Sequence, residues 1–254
     1  EEEMSKSKAA WCVATLILGL HTAGFAEGDV TVGVGADLLS KYVWRGQNLV
    51  DDWVFQPSVS AGYKGLTGSI WGNLDLTGDF VDDGEFNEVD YAIDYSNDFP
   101  GQQMLGYSVG VIYYDFPNTP WEATSEFYGG LSVDAPLRPA VKWFYDFDEA
   151  DGSYLLFSIG HTVEKIASWR EGRSCVLVLS ASLGYGTDNY DEFYFGVDDA
   201  ALNDVTLSAG VPFTFGSLTV KPSVAYSMMI DDDIRRATGE SDSLWAGVGL
   251  SYSF

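Results

Sequence analysis

The stretch LWAGVGLSYSF, Leu244–Phe254, alternates with a period of two along its whole length. Leu244, Ala246, Val248, Leu250, Tyr252 and Phe254 share one face; Trp245, Gly247, Gly249, Ser251 and Ser253 share the other. Successive side chains of a β-strand point to opposite faces. An apolar row backed by glycine and serine therefore describes a strand with one face in an apolar medium. That medium is a protein core in a soluble sandwich, or lipid in a transmembrane barrel.

Period-two alternation recurs along the chain, and we place strands near residues 30–45, 53–64, 67–78, 87–96, 104–114, 124–133, 138–147, 153–163, 174–185, 204–214, 218–230 and 243–254. They form an even set of twelve, many of them as long as the ~9–11 residues that a tilted strand needs to cross a bilayer. Ile70, Leu74 and Leu76 oppose Asn73, Asp75 and Thr77; Val89, Tyr91, Ile93 and Tyr95 oppose Asp90, Ala92, Asp94 and Ser96. A sandwich would show the same pattern.

The connections break the tie. Even-numbered ones are short: Gly65–Leu66, Asp134–Leu137, Phe215–Ser217. Odd-numbered ones are long: Asp79–Phe86, Asp115–Ala123, Gly186–Asn203, Asp231–Asp242. In or beside the odd connections stand two, five, two, four, six and five acidic residues in turn, 24 in all, against Asp98, Asp134, Glu164 and Glu171 in the even ones. A solvated sandwich face has no reason to sort carboxylates by connection parity, whereas a barrel with long outer loops and short inner turns does. The expected fold is all-β: a single antiparallel transmembrane β-barrel of twelve strands, outer-membrane type, over residues 27–254. Two stretches stand apart: EKIASWREGR (Glu164–Arg173) is long for an inner turn and amphipathic enough for a brief interfacial helix, and VDDAALND (Val197–Asp204) has a helical look.

Composition agrees with an ordered, exported chain. Acidic residues number 38 against 13 basic, a formal charge of −25, which repels nucleic acid and attracts cations. With 46% apolar and 15% aromatic residues, disorder is not the reading. Residues 1–26 read as a cleaved export signal: basic Lys6 and Lys8, an apolar run Ala9–Leu20, and small Gly24 and Ala26 before the cut. Glu1–Glu3, ahead of Met4, are expected to be extra residues. The apolar run is too short to span a bilayer as a helix. Trp11 before Cys12 argues against lipoprotein processing, and after cleavage Cys175 stands alone, so no internal disulfide is expected.

Residues Ser40–Gln47, SKYVWRGQ, with Gln56–Asp75 and Glu88–Ser96, resemble the TorF-like porins, a family also catalogued as a conserved domain of unknown function. Its pattern is S-D-Y-x-F-R-G at the end of an early strand, followed by a G-x-W-x-S/N strand and an E-x-D-x-x-x-x-Y strand. Here Lys41 stands for the usual acid and Trp44 for the usual Phe, and the match covers about the first third of residues 27–254. The resemblance implies an outer-membrane barrel of a Gram-negative type bacterium with a pore role, and no particular substrate. The row Ala246, Val248, Leu250, Tyr252 and Phe254 likewise resembles the terminal signal read by the barrel assembly machinery. Expected partners are therefore that machinery, outer-membrane lipid and lipopolysaccharide; the oligomeric state is open.

Projecting the alternation inward gives a charged lumen of Asp37, Lys41, Lys64, Asp75, Asp90, Asp94, Glu126, Lys142 and Lys221, with Arg45 at the mouth and Trp71, Tyr114, Tyr128 and Phe144 between them. Tyr42, Trp44, Tyr95, Tyr252 and Phe254 are expected in the aromatic girdle. Arg45 either ties down the first loop by a charge-assisted hydrogen bond or acts as a constriction residue. The expected function is a narrow, weakly cation-preferring channel for small solutes or ions. The alternatives are a non-conducting structural or adhesion barrel acting through acidic loops, and a soluble exported β protein. Enzymatic activity is not expected: His161 is the one histidine beyond residue 26, and no G-x-S-x-G elbow occurs. No cofactor is expected; Asp79, Asp82, Asp83 and Asp231–Asp233 suit divalent cations only loosely, lacking a dedicated loop spacing.

Overall fold

A computed structural model describes residues 30–170, 173–239 and 241–254. The expected export signal and Glu1–Glu3 lie outside the described residues. Alternating β-branched and aromatic residues run as fifteen strands: β1 (Thr31–Leu39), β2 (Tyr42–Trp44), β3 (Gln47–Val50), β4 (Val54–Tyr63), β5 (Leu66–Asp75), β6 (Phe86–Phe99), β7 (Gln102–Asp115), β8 (Thr124–Val133), β9 (Ala140–Asp146), β10 (Gly152–Arg170), β11 (Arg173–Gly186), β12 (Ala201–Gly210), β13 (Phe213–Phe215), β14 (Leu218–Met229) and β15 (Asp242–Ser253). Helices α1 (Asp188–Phe195) and α2 (Asp232–Thr238) complete the set.

Twelve strands form the wall, each antiparallel to its chain neighbour. The two ends of the chain meet where β1 pairs β15, Gly33 opposite Ser253 and Leu39 opposite Gly247. β12 pairs β14 from Asp204–Met229 to Gly210–Ser223, so the sheet closes on itself and no edge is left open. β13 pairs only β14, and β2 pairs only β3 in a separate two-stranded sheet.

Short connections collect at one end and long ones at the other. The β4–β5 turn is Lys64–Gly65, both at positive φ (50° and 86°), one residue earlier than expected. That is the turn geometry whose twist matches paired strands. A Cβ at Gly65 would lie 2.6 Å from the Ser96 carbonyl, so glycine is required there. Lys64 is consequently at the turn, over the Tyr63 ring at 5.0 Å, and not in the lumen.

The outer face is apolar. Val34, Val59, Ile70, Ile93, Val109, Val111, Phe127, Phe157, Leu179, Leu207, Val248 and Leu250 are all exposed, in rows around the whole wall. A water-soluble monomer rarely leaves more than a few hundred Å² of continuous apolar surface uncovered. The interior is the opposite, holding Gln56, Asn73, Asp75, Asn87, Glu88, Asp90, Glu126, Asp146, Asn203 and Asp204. Polar groups inside and hydrocarbon outside suit a wall immersed in lipid. No described helix is long and apolar enough to cross a membrane, which says nothing of a barrel.

Three local expectations are corrected. The first strand ends at Leu39, and Tyr42–Val50 turns inward as the β2–β3 hairpin. Residues 164–170 and 173 are strand, because β10 and β11 continue pairing through Ser168–Ser174 and Arg170–Arg173; residues 171–172 lie outside the described set. The helix of the fifth long connection is Asp188–Phe195, while Ala201–Asp204 already belongs to β12. α1 has acids Asp188 and Asp191 in its first turn and Gly196 in the left-handed conformation at its end, the usual charges and stop of a short helix.

Candidate functional site

The hairpin β2–β3 folds into the long-loop end of the barrel and fills it. Its turn is Arg45–Gly46, again both at positive φ (45° and 86°). A Cβ on Gly46 would stand 2.3 Å from Met229 Sδ and 2.7 Å from Asp204 Cβ, so the tip is pressed against β12 and β14. Arg45 is 3% exposed. Its two terminal nitrogens donate to Glu126 Oε1 and Oε2 on β8, each at 2.7 Å, in a fork-to-fork pair. β8 stands almost opposite β1 in the ring, so the hairpin reaches across the lumen to make this pair. Nη1 also donates to the Tyr190 hydroxyl of α1 at 3.0 Å.

Four rings enclose the guanidinium. Its carbon lies 4.5 Å from the ring centroids of Trp44, Phe144 and Tyr154, and 5.6 Å from that of Tyr190. Tyr114 donates to Glu126 Oε2 at 2.7 Å, and Tyr154 to Asp204 Oδ1 at 2.7 Å. α1 closes the top: Tyr190 and Phe195 are buried, and Tyr194 packs on Trp44 at 5.2 Å while donating to Asp146 at 2.9 Å. Ile234 of α2 is fully buried beside them. Burial raises the Tyr190 and Tyr194 hydroxyls far above the ordinary tyrosine value, which keeps both neutral. Asp191, on the underside of α1, accepts from Asn203 Nδ2 at 2.6 Å and from the Ala201 amide at 3.2 Å, yet burial pushes its carboxyl up to about 7.

Below this layer the side chains shrink. Gly35 faces Ser58, Gly33 faces Ser60, Gly130 faces Ser108, and Ser180 hydrogen-bonds Ser208 at 2.6 Å. The inner wall toward the short turns therefore carries small polar residues between its charged ones. Next to the plug on this wall lies a charged tier. Tyr128 donates to Asp94 at 2.5 Å, and the Lys142 ammonium sits 4.6 Å over the Tyr128 ring.

The residues expected to line the lumen fall into distinct places. Arg45, Glu126 and Trp71 are buried in the plug layer. Asp90 is 3% exposed and lies against the equally buried Glu88 carboxyl. Asp94, Lys142, Asp37 and Lys221 are half-buried on the inner wall. Asp75 is spent on its own loop, accepting from the amides of Thr77, Gly78, Phe80 and Val81 at 2.8–3.3 Å. Lys41 pairs with exposed Asp51 at the rim.

The girdle assignment of Tyr42 and Trp44 is overturned. They are 5% and 7% exposed and face away from lipid, because the hairpin carries them inside. Tyr42 donates to Glu88 at 2.8 Å and packs on Trp71 at 5.7 Å. Tyr252 and Phe254 do stand outside, edge to face at 4.8 Å, and Tyr95 packs on Tyr107 at 6.2 Å. His161 also points outward, exposed on the wall.

Tyr154, Tyr190, Glu88 and Asp204 did not emerge from the sequence as site residues. For Tyr190 a signal was present: DNYDEFYF carries tyrosines four residues apart after acidic Asp188, with glycine at 196 to stop a helix.

The backbone is similar to that of solved porins. It matches a NanC porin structure with a TM-score of 0.51 and 12% identity, over 87% of this chain and 98% of that one. Salmonella typhi OmpF, solved with daunomycin, aligns at 0.39 with 10% identity over 89% and 97% of the two chains. An anion-selective porin from Comamonas acidovorans aligns at 0.41 with 12% identity over 90% and 100%. No protein-family model and no curated protein matches the chain. At such identities the likeness to the NanC porin concerns fold alone, a closed twelve-stranded antiparallel barrel of porin type.

Proposed function

We propose that this chain is an outer-membrane channel of a Gram-negative type bacterium that passes small solutes or ions by diffusion, with its long-loop mouth held shut by the folded-in first loop. The observation that carries this reading is the contrast along the lumen: an inner wall of small polar residues ends against a hairpin that forms its own two-stranded sheet and is held to the wall by side chains. A purely structural barrel has no use for a separable plug over a polar inner wall. The porin-type fold supports the same reading.

The finer features follow from charge and position. Among the described residues, seven buried carboxyl groups (Asp75, Glu88, Asp90, Glu126, Asp146, Asp191 and Asp204) stand beside one buried base, Arg45, which supports a weak cation preference. The outward row Ala246, Val248, Leu250, Tyr252 and Phe254 on a seam strand suits recognition by the barrel assembly machinery. Tyr95, Tyr252 and Phe254, at the short-turn end of the wall, suit the interface with outer-membrane lipid. The signature around Arg45 supports a place among the TorF-like porins. The occluded mouth itself favours one second reading, a non-conducting barrel that acts through its acidic loops.

Single-channel recording decides between them. The wild-type protein should show rare, brief openings, and Glu126→Gln should open far more often. Silence of both, in bilayers where gel mobility confirms a folded barrel, would overturn the channel.

A further inference from the structure

The guanidinium of Arg45 is held as a bound ligand would be. It has a carboxylate matched to its two terminal nitrogens, a hydroxyl on one of them, and aromatic faces around its carbon. Of this cage, Glu126, Phe144, Tyr154 and Tyr190 belong to the wall or to α1, so they stay behind when the hairpin leaves. Only Trp44 and Arg45 travel with it. Tyr114, hydrogen-bonded to Glu126, keeps the carboxylate in place from the next strand. Among the described residues the Nε of Arg45 has no acceptor. Recognition is therefore directed at the terminal amino groups, the part that every monosubstituted guanidinium presents.

We propose that this cage is a binding site for guanidinium-bearing cations, and that Arg45 occupies it as a built-in competitor in the closed state. The inference rests on the channel reading for its claim that such a cation is a solute; the cage itself does not depend on conduction. Two features argue against a generic cation site. A planar fork fits Glu126 bidentately where an ammonium offers a point charge. The rings offer faces to a flat, weakly hydrated cation. Sodium has no use for them. An arriving guanidinium replaces Arg45 on Glu126, so occupancy of the cage and release of the plug become one equilibrium, and the ligand itself favours the open mouth.

Chemical rescue tests the cage directly. Arg45→Ala leaves Glu126 buried and unpaired, which lowers the temperature at which the barrel loses its heat-modifiable gel mobility. Millimolar guanidinium chloride, or free arginine, should restore that temperature saturably, while urea and sodium chloride at equal concentration should not. In Arg45→Ala/Glu126→Gln the half-saturating concentration should rise about tenfold or more, the loss of one charge-assisted pair. Should Arg45→Ala fail to assemble, a variant with 42–50 replaced by a Gly-Ser link exposes the same cage with every wall residue intact, and quenching or shift of its tryptophan fluorescence reports the ligand. Equal responses to guanidinium, urea and sodium in the assembled variant would overturn the cage. A guanidinium-specific rescue in a protein that never conducts would uphold the cage and overturn the channel.

Discussion

Arg45 and Glu126 are 81 positions apart in sequence and form the buried ion pair of the plug. Breaking such a pair costs more than never having built it, because the remaining charge has neither water nor partner; the penalty is about 3–5 kcal/mol. Glu126→Gln should therefore release the hairpin more than it weakens the barrel. Amide exchange across residues 42–50 should speed by two orders of magnitude or more, with the wall strands unchanged. Asp191 supplies a pH dependence at the same scale. Burial raises its carboxyl from 3.8 to about 7, so the folded state holds the proton more tightly than the unfolded chain does. Stability from this group is complete below pH 3.8 and is lost as pH rises through about 7. Docking of α1 should be firmer at pH 5 than at pH 8, seen as slower amide exchange over 188–195, and Asp191→Asn should flatten that difference.

At the level of elements, alternation located every wall strand, since a lipid-facing row must repeat with period two on each of them. Alternation could not locate the break after Leu39. Tyr42 and Trp44 would continue an outward row equally well, and the reason they turn inward lies far away, in Glu88, Glu126 and Tyr194. The same limit explains the misplaced helix. Val197–Asp204 has helix-compatible residues, but β11 needs a partner, and Tyr185–Leu202 and Gly186–Ala201 pair it. The charged layer was legible as a set of residue types; which of them are spent on loops, as Asp75 is, depends on backbone amides no pattern displays. An isolated two-stranded hairpin is marginal in water, so β2–β3 persists through its side-chain contacts and the fit of its tip. Gly46→Ala removes that fit, since φ is +86° and the new Cβ would meet Met229 at 2.3 Å. The hairpin of this variant should be cut by protease near residues 45–52 while the barrel stays resistant.

The whole molecule is organised by two media, lipid outside and a charged lumen inside, and each wall residue belongs to one of them. Ile70 is 45% exposed on the outer face and Ser69, its neighbour, faces in. A lysine at Ile70 would place a charge in hydrocarbon and should cost about 2–4 kcal/mol near the midplane, measured by urea titration of folding into lipid vesicles. A lysine at Ser69 should cost far less and act on conduction instead. On the proposed channel function, selectivity is decided in the lumen. Asp90 and Glu88 stand at the plug, Asp94 and Lys142 just beneath it, and buried carboxylates outnumber buried bases. A wall of low dielectric focuses that imbalance on the narrowest passage. In a background with 42–50 replaced by a Gly-Ser link, where the mouth is open, reversal potentials in a salt gradient should show cations favoured. Asp90→Asn with Asp94→Asn should bring that preference close to neutral, and Lys142→Gln should strengthen it. If instead the open variant favours anions, the seven carboxylates serve to hold the plug and play no part in choosing ions.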